Sequence, residues 1–220
     1  ERVTDNDEVH GSTPCAPTMI TSHRWMLYVM RAIFAAVLLF EFANWAGVLN
    51  YTLTFSWFGL IVTAAVVWGI VEFLWRKLGE LHAYRKGWLL FVIILSLMVD
   101  LFGDLFMWYA AFPWYDRFAH FLGGVSVAIA LVIVLRAANI LPDVSVQPHL
   151  SFAMQLLIVM AFVTLFGVIY ELEEYAETVW LQNNRLGDVF DTMDDILLNM
   201  LGGIAGATLA LRNVHQPITR

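Results

Sequence analysis

Six stretches of this chain, about residues 25–49, 55–75, 88–110, 118–140, 151–175 and 192–212, are almost wholly apolar and long enough to cross a lipid bilayer. Roughly 20 helical residues, rising about 1.5 Å each, span the ~30 Å hydrocarbon core. No water reaches the backbone there, so an open chain satisfies its N–H and C=O groups only as helix. The predicted fold is all-α: a polytopic integral membrane protein with about six transmembrane helices in one bundle over residues 25–212. Composition agrees, since 60% of the 220 residues are hydrophobic and only 14% charged, against about 45–50% and about 25% in soluble domains.

The ends are polar. A cytoplasmic tail is predicted over 1–24 and a short one over 213–220. The single cysteine, Cys15, excludes an internal disulfide and reads as an ordinary tail residue. No secretory signal precedes the first apolar run. A net charge of −7 argues against a nucleic-acid partner. Membrane lipids are the expected surroundings, with other membrane subunits as further candidate partners.

Lysine and arginine set the orientation. Arg76, Lys77, Arg85 and Lys86 crowd one connection, and Arg24, Arg136, Arg212 and Arg220 fall on the same side. Only Arg117 and Arg185 fall opposite. The positive-inside rule then places both termini in the cytoplasm. Trp88, Trp108, Trp114 and Trp180 flank the spans as interface anchors.

With that topology, 12 of the 19 acids gather near the outer face. Residues three and four apart share a helix face, and the acids follow that spacing. Asp188, Asp191, Asp195, Asn199, Gly202 and Gly206 form one stripe, and Thr164, Gly167, Glu171 and Glu174 another. Ser96, Asp100 and Asp104 form a third, and Asp116, His120 and Gly123 a fourth. The glycines, "GGIAG" at 202–206 above all, predict close helix approach beneath the acids.

A carboxylate at mid-membrane costs about 2.5–3.5 kcal/mol on insertion scales, and like neighbours resist ionising together. Such a cluster calls for positive charge. Carboxylates with one imidazole suit a divalent cation such as Mn, Fe, Zn or Mg better than copper(I). The candidate ligands are Glu171, Glu174, Asp191, Asp195, Asp100 and Asp104. The candidate catalytic groups are His120 as proton shuttle, Asp116 to orient it, and Arg185, with Arg117 beside it, to hold an anion. No organic cofactor is predicted, because no lysine lies within a predicted span and His120 is the only histidine within one.

Plainer readings compete. Asp116, Asp191 and Asp195 stand near helix N-termini, where an acid offsets the macrodipole. Glu171 and Glu174 stand near a C-terminus, where that explanation fails, and Asp100 and Asp104 lie well inside a helix. Asp194, Glu173 and Glu177 are expected to face water. Glu41 is expected either in the cluster or bonded to Asn44 or Trp45, and Glu72 near Arg76 at the other face.

"YDRFAHF" at 115–121, "YELEEY" at 170–175 and "GDVFDTMDDILLNMLGG" at 187–203 resemble the YjdF-like family of bacterial inner-membrane proteins. More distantly they resemble the VanZ-like family, associated with glycopeptide-antibiotic tolerance. The resemblance covers about 110–206 and implies a bacterial inner-membrane location. By it Asp116 and His120 match an acid–histidine pair, and Tyr170, Glu171 and Glu174 a tyrosine–acid element. Arg185, Asp191, Asp195, Asn199 and Gly202 match the closing motif.

Three functions fit these residues. One is a metal-dependent hydrolase or transferase acting on a lipid-linked or phosphorylated envelope substrate. Another is an accessory or structural subunit of a larger membrane complex. The third is a proton- or cation-coupled transporter. Sidedness is testable first. In a Cys15→Ser background, an impermeant maleimide applied to intact cells is expected to label a cysteine at Gln182 but not one at Lys77. The reverse pattern inverts the topology.

Overall fold

The computed structural model describes residues 21–53, 56–77, 83–141, 151–182 and 185–213. The tail positions before 21, Cys15 among them, and those after 213 lie outside the described residues. The described chain is helical: α1 (Thr21–Trp45), α2 (Trp57–Lys77), α3 (Ala83–Leu105), α4 (Trp108–Ala111), α5 (Tyr115–Ala137), α6 (Phe152–Leu181) and α7 (Val189–Asn213). Six of these, all but α4, are long and apolar enough to cross a membrane.

The boundaries moved where turn chemistry, not hydropathy, decides them. The third apolar run was read through to 110, but α3 stops at Leu105 because Met107 adopts a left-handed backbone, φ 58°. The four residues Trp108–Ala111 then form a separate turn. The fifth run was read to end at 175, but α6 continues to Leu181 and closes on Gln182, again left-handed. Its 30 residues give a rod of about 45 Å, longer than the hydrocarbon core. α3 begins before the predicted 88, so Lys86 falls inside it, buried, with its ammonium 4.7 Å from the Trp75 ring centre.

Apolar side chains form two clusters. One joins α1, α2 and α3 through Met30, Phe34, Leu60, Ala64, Leu90 and Leu97. The other joins α5, α6 and α7 through Ala128, Val132, Val159, Val163, Ala207 and Leu211. Large apolar side chains elsewhere face outward, Leu39, Leu157 and Leu209 among them, as lipid-facing residues do. An ion pair ties α1 to α2: the Arg31 guanidinium donates to both oxygens of Glu72 at 2.5 and 2.7 Å, and the Trp68 indole adds 3.3 Å. Arg31 is thus the bonded partner of Glu72.

α5 and α7 approach backbone to backbone, as the glycine stripe predicted. A Cβ on Gly202 would run into the Phe121 carbonyl, one on Gly206 into that of Val125, and one on Gly124 into that of Asn199. Gly202→Ala therefore forces the helices apart. It is expected to lower the unfolding free energy by about 1–3 kcal/mol, the usual cost of overpacking, read from thermal or denaturant unfolding in detergent. Gly69→Ala, where a Cβ meets nothing within 4 Å, is the control and should not destabilise. Equal behaviour of the two variants would refute the close-packing account.

Candidate metal centre

The tight α5–α7 contact decides which side chains meet. It sets the first turns of α5 beside those of α7, so Asp116 and His120 face Asp195. One ligand atom from each of these three lies within 4.8 Å of the other two. His120 Nε2 is 3.6 Å from Asp116 Oδ1 and 3.7 Å from Asp195 Oδ1. His120 and Asp195 are buried, and Asp195 Oδ1 has no hydrogen-bond partner. Trp114, the N-cap of α5, makes no side-chain cap bond. Asp116 instead turns inward, toward His120 and the Asp195 carboxyl, so capping does not account for it.

His120 is held from its other side as well. Asn199, one turn beyond Asp195 on α7, places its amide nitrogen 3.1 Å from His120 Nδ1. Glu171 Oε1, from α6, stands 3.9 Å from the same nitrogen. Glu171 is buried and neither of its carboxylate oxygens has a hydrogen-bond partner.

A cavity of about 250 Å³ opens over this group. Asp116, His120, Tyr170, Glu174, Asp191 and Asp195 line it together with Arg185, Gly187, Tyr109 and Pro113. Arg185 is the buried cation of the site. Its Nε donates to Glu174 at 3.2 Å, its Nη2 donates to the Tyr170 hydroxyl at 2.7 Å, and Asp100 lies 3.9 Å away. Burial pulls the guanidinium's pKa down. Tyr170 and the Asp100 and Glu174 carboxylates outweigh that and hold it well above the ordinary value. Tyr109, on the short α4, donates to Asp100 at 3.0 Å. Burial first, then the Asp100 charge, push its phenol well above the usual range, so it stays a donor.

Gly187 lines the cavity with a left-handed φ of 64°, and a Cβ there would strike the Asp191 carboxylate. Only glycine meets both demands.

The sequence-predicted residues separate into three groups. Asp116, His120 and Asp195 converge as a three-donor set, with Asp191 exposed at the cavity wall. Glu174 and Asp100 are engaged by Arg185, and Glu171 backs the histidine. Asp104 is buried on α3 but does not line the cavity.

Several expectations are corrected. Asp188 is exposed and caps α7, accepting from the backbone N–H of Phe190 and Asp191 at 2.8 and 3.0 Å. Arg117 is exposed and pairs with Asp194 at 2.8 Å outside the cavity. Glu177, expected in water, is buried, because the Ser56 hydroxyl donates to it at 3.3 Å and Gly59 leaves room for its carboxylate. Glu173 is half-buried beside it. The Asn44 amide bonds the Phe40 carbonyl and the Tyr51 N–H, and Glu41 Oε2 is buried without a hydrogen bond. Tyr109 was missed because its segment was read as the end of the third span. The signal lay in "MWYAAFPWY", an aromatic run broken by Pro113.

A family model described as "Predicted membrane protein (DUF2238)" matches residues 32–216. The chain belongs to that family. It is the family of the YjdF-like resemblance, and the match extends that resemblance from the second half back through α3 and α2 and into the second half of α1. With the six apolar helices it identifies an integral membrane protein. No curated protein and no solved structure matches the chain.

Arg185 gives this geometry a direct test. Arg185→Ala leaves the buried Glu174 and the half-buried Asp100 without their shared cation. Breaking a buried pair this way costs about 3–5 kcal/mol, which should appear as a large loss of thermal stability in detergent. Adding Glu174→Gln to Arg185→Ala should recover part of it. A double variant no more stable than the single one would show that the pair is not coupled.

Proposed function

We propose that the chain is a membrane-embedded, metal-dependent hydrolase or transferase of the bacterial inner membrane. Its site faces the extracytoplasmic side, and its substrate is a lipid-linked or phosphorylated envelope compound. The observation that carries this reading is the convergence of Asp116, His120 and Asp195, from two helices, beneath a cavity lined mostly by polar groups. Two carboxylates and an imidazole with open space above them are the donor set of a hard or borderline divalent cation. His120 here serves as a ligand through Nε2 in place of the proton shuttle expected from sequence.

A cation held there would polarise a phosphoryl or acyl oxygen and acidify bound water. The chain's own residues supply the rest. Asp191, one turn before Asp195 and lining the cavity, is placed to take a proton from water. The Tyr170 hydroxyl accepts from Arg185 and so keeps its own hydrogen for an anionic oxygen in the cavity. Arg185 orders the wall through Glu174 and Tyr170 more than it offers a free anion clamp. The resemblance to the VanZ-like family supports an envelope substrate by analogy.

Metal content tests this. Protein purified without chelator is expected to carry Mn, Fe, Zn or Mg in near-equal amount to the chain, by mass spectrometry of the elements. Asp195→Asn and His120→Ala should lose it, while Asp194→Asn, outside the site, should not. Metal-free wild type after supplementation with each ion, or variants that retain it, would remove the metal-dependent reading.

A further inference from the structure

The Glu171 carboxylate is the least accounted-for group around His120. It is 5% exposed, and both of its oxygens lack a hydrogen bond. A buried carboxylate in that state costs free energy for no local return. It does not line the cavity, which argues against the ligand role expected for it from sequence. What it faces is the back of the histidine, 3.9 Å from Nδ1.

Nδ1 therefore has two neighbours on two helices. With the Asn199 amide donating to it, Nδ1 is an acceptor and the ring hydrogen sits on Nε2. In that tautomer Nε2 points its hydrogen at Asp116 and Asp195 and has no lone pair for a cation. Binding a cation through Nε2 moves the hydrogen to Nδ1, which then needs an acceptor.

Asn199 is a poor one. Its nitrogen, not its oxygen, faces Nδ1, and the side chain lies between Gly123 of α5 and Gly167 of α6, where an added Cβ on either would meet it at ordinary contact distance. To accept it must turn over in that slot. Glu171 needs a movement of only about 1 Å to reach ordinary hydrogen-bond length. When ionised, it makes a bond roughly twice as strong as a neutral one.

We infer that Glu171 is a positioning residue, which accepts a hydrogen bond from Nδ1–H of His120 whenever His120 ligates a cation through Nε2. The inference rests on the cation site proposed above. It assigns α6 a part in metal binding without a metal contact, as outer-shell carboxylates hold ligating histidines in orientation and raise their basicity.

The experiment uses the full chain in detergent with Zn²⁺, which is diamagnetic. Zn²⁺ affinity by competition with a chromophoric chelator should fall about 10- to 100-fold in Glu171→Gln. Glu171→Asp should recover part of it, and Asp194→Asn, outside the site, should keep wild-type affinity within a few-fold. NMR of ¹⁵N-histidine-labelled wild type should place the His120 hydrogen on Nδ1 when zinc is bound. Its proton resonance should move upfield in Glu171→Gln, where the acceptor is no longer charged. A purely structural role for Glu171 would not move that signal. Wild type that binds no Zn²⁺ would overturn both this inference and the cation site. Wild type that binds it, with Glu171→Gln equal in affinity and in the Nδ1–H resonance, would overturn the inference alone. So would a zinc-loaded histidine protonated on Nε2, an assignment made on wild type and independent of whether any variant folds.

Discussion

The close approach of α5 to α7 is the contact on which the other features of the site depend. With Gly124, Gly202 and Gly206 each lying against a carbonyl of the facing helix, the two backbones are nearer than ordinary side-chain packing permits. Residues one to two turns from those glycines then have no room to avoid each other. Asp116 and His120 on α5 and Asp195 and Asn199 on α7 meet for that reason. In lipid there is little hydrophobic force between helices, so small residues and interhelical hydrogen bonds supply the association. Here the same glycines that permit association also aim the polar groups. Packing and site cannot be varied independently.

Charge is the second constraint, and it is only partly answered by the chain itself. Among the residues lining the cavity, Asp116, Glu174, Asp191 and Asp195 are acidic and Arg185 is the one arginine or lysine. That guanidinium is shared by Glu174 and Asp100 and fixed by Tyr170. It neutralises the α3–α6 side of the site and leaves the α5–α7 side to His120 alone. A neutral imidazole contributes no charge, so a carboxyl pair at Asp116 and Asp195 either shares a proton or attracts a cation. On the proposed function the second outcome applies, and the orphaned oxygens of Asp195 and Glu171 mark where the compensation is missing.

Most of the architecture was legible because hydropathy alone fixes it: an apolar run of bilayer length has no alternative to helix. The acid stripes were legible for a related reason, since i, i+3 and i, i+4 spacing survives any error of a few residues in a boundary. What failed was local. Asp188 reads as the first member of the α7 stripe, yet it precedes the helix and spends its carboxylate on two backbone N–H groups. Glu177 reads as a surface residue because α6 was expected to end earlier. In fact the helix continues and Glu177 meets Ser56 and Gly59 at the start of α2. Arg117 and Arg185 look equivalent in sequence, each a lone cation in an acidic region. Only the turn after α6 carries one of them into the interior. Partners on distant helices, such as Ser56 with Glu177, leave no trace in periodicity.

The distribution of polar groups along the bundle also bears on the choice between an enzyme and a carrier. A carrier that moves protons or cations across the membrane needs groups to receive them on both sides of its central site. Away from the site, α5 to α7 close on Ala128, Val132, Val159, Val163, Ala207 and Leu211, each no more than 2% exposed. Ser126 and Gln155 are the buried polar side chains of those three helices in that direction. Between them and Asp195 stand the glycine contacts, where backbone fills the seam. Neither a serine nor a glutamine titrates, so among the described residues of these three helices no buried titratable side chain continues the polar seam from Asp195 in that direction. On the proposed function, close backbone packing beneath the cavity suits chemistry on a molecule that enters and leaves by the same mouth, the arrangement a hydrolase or transferase uses.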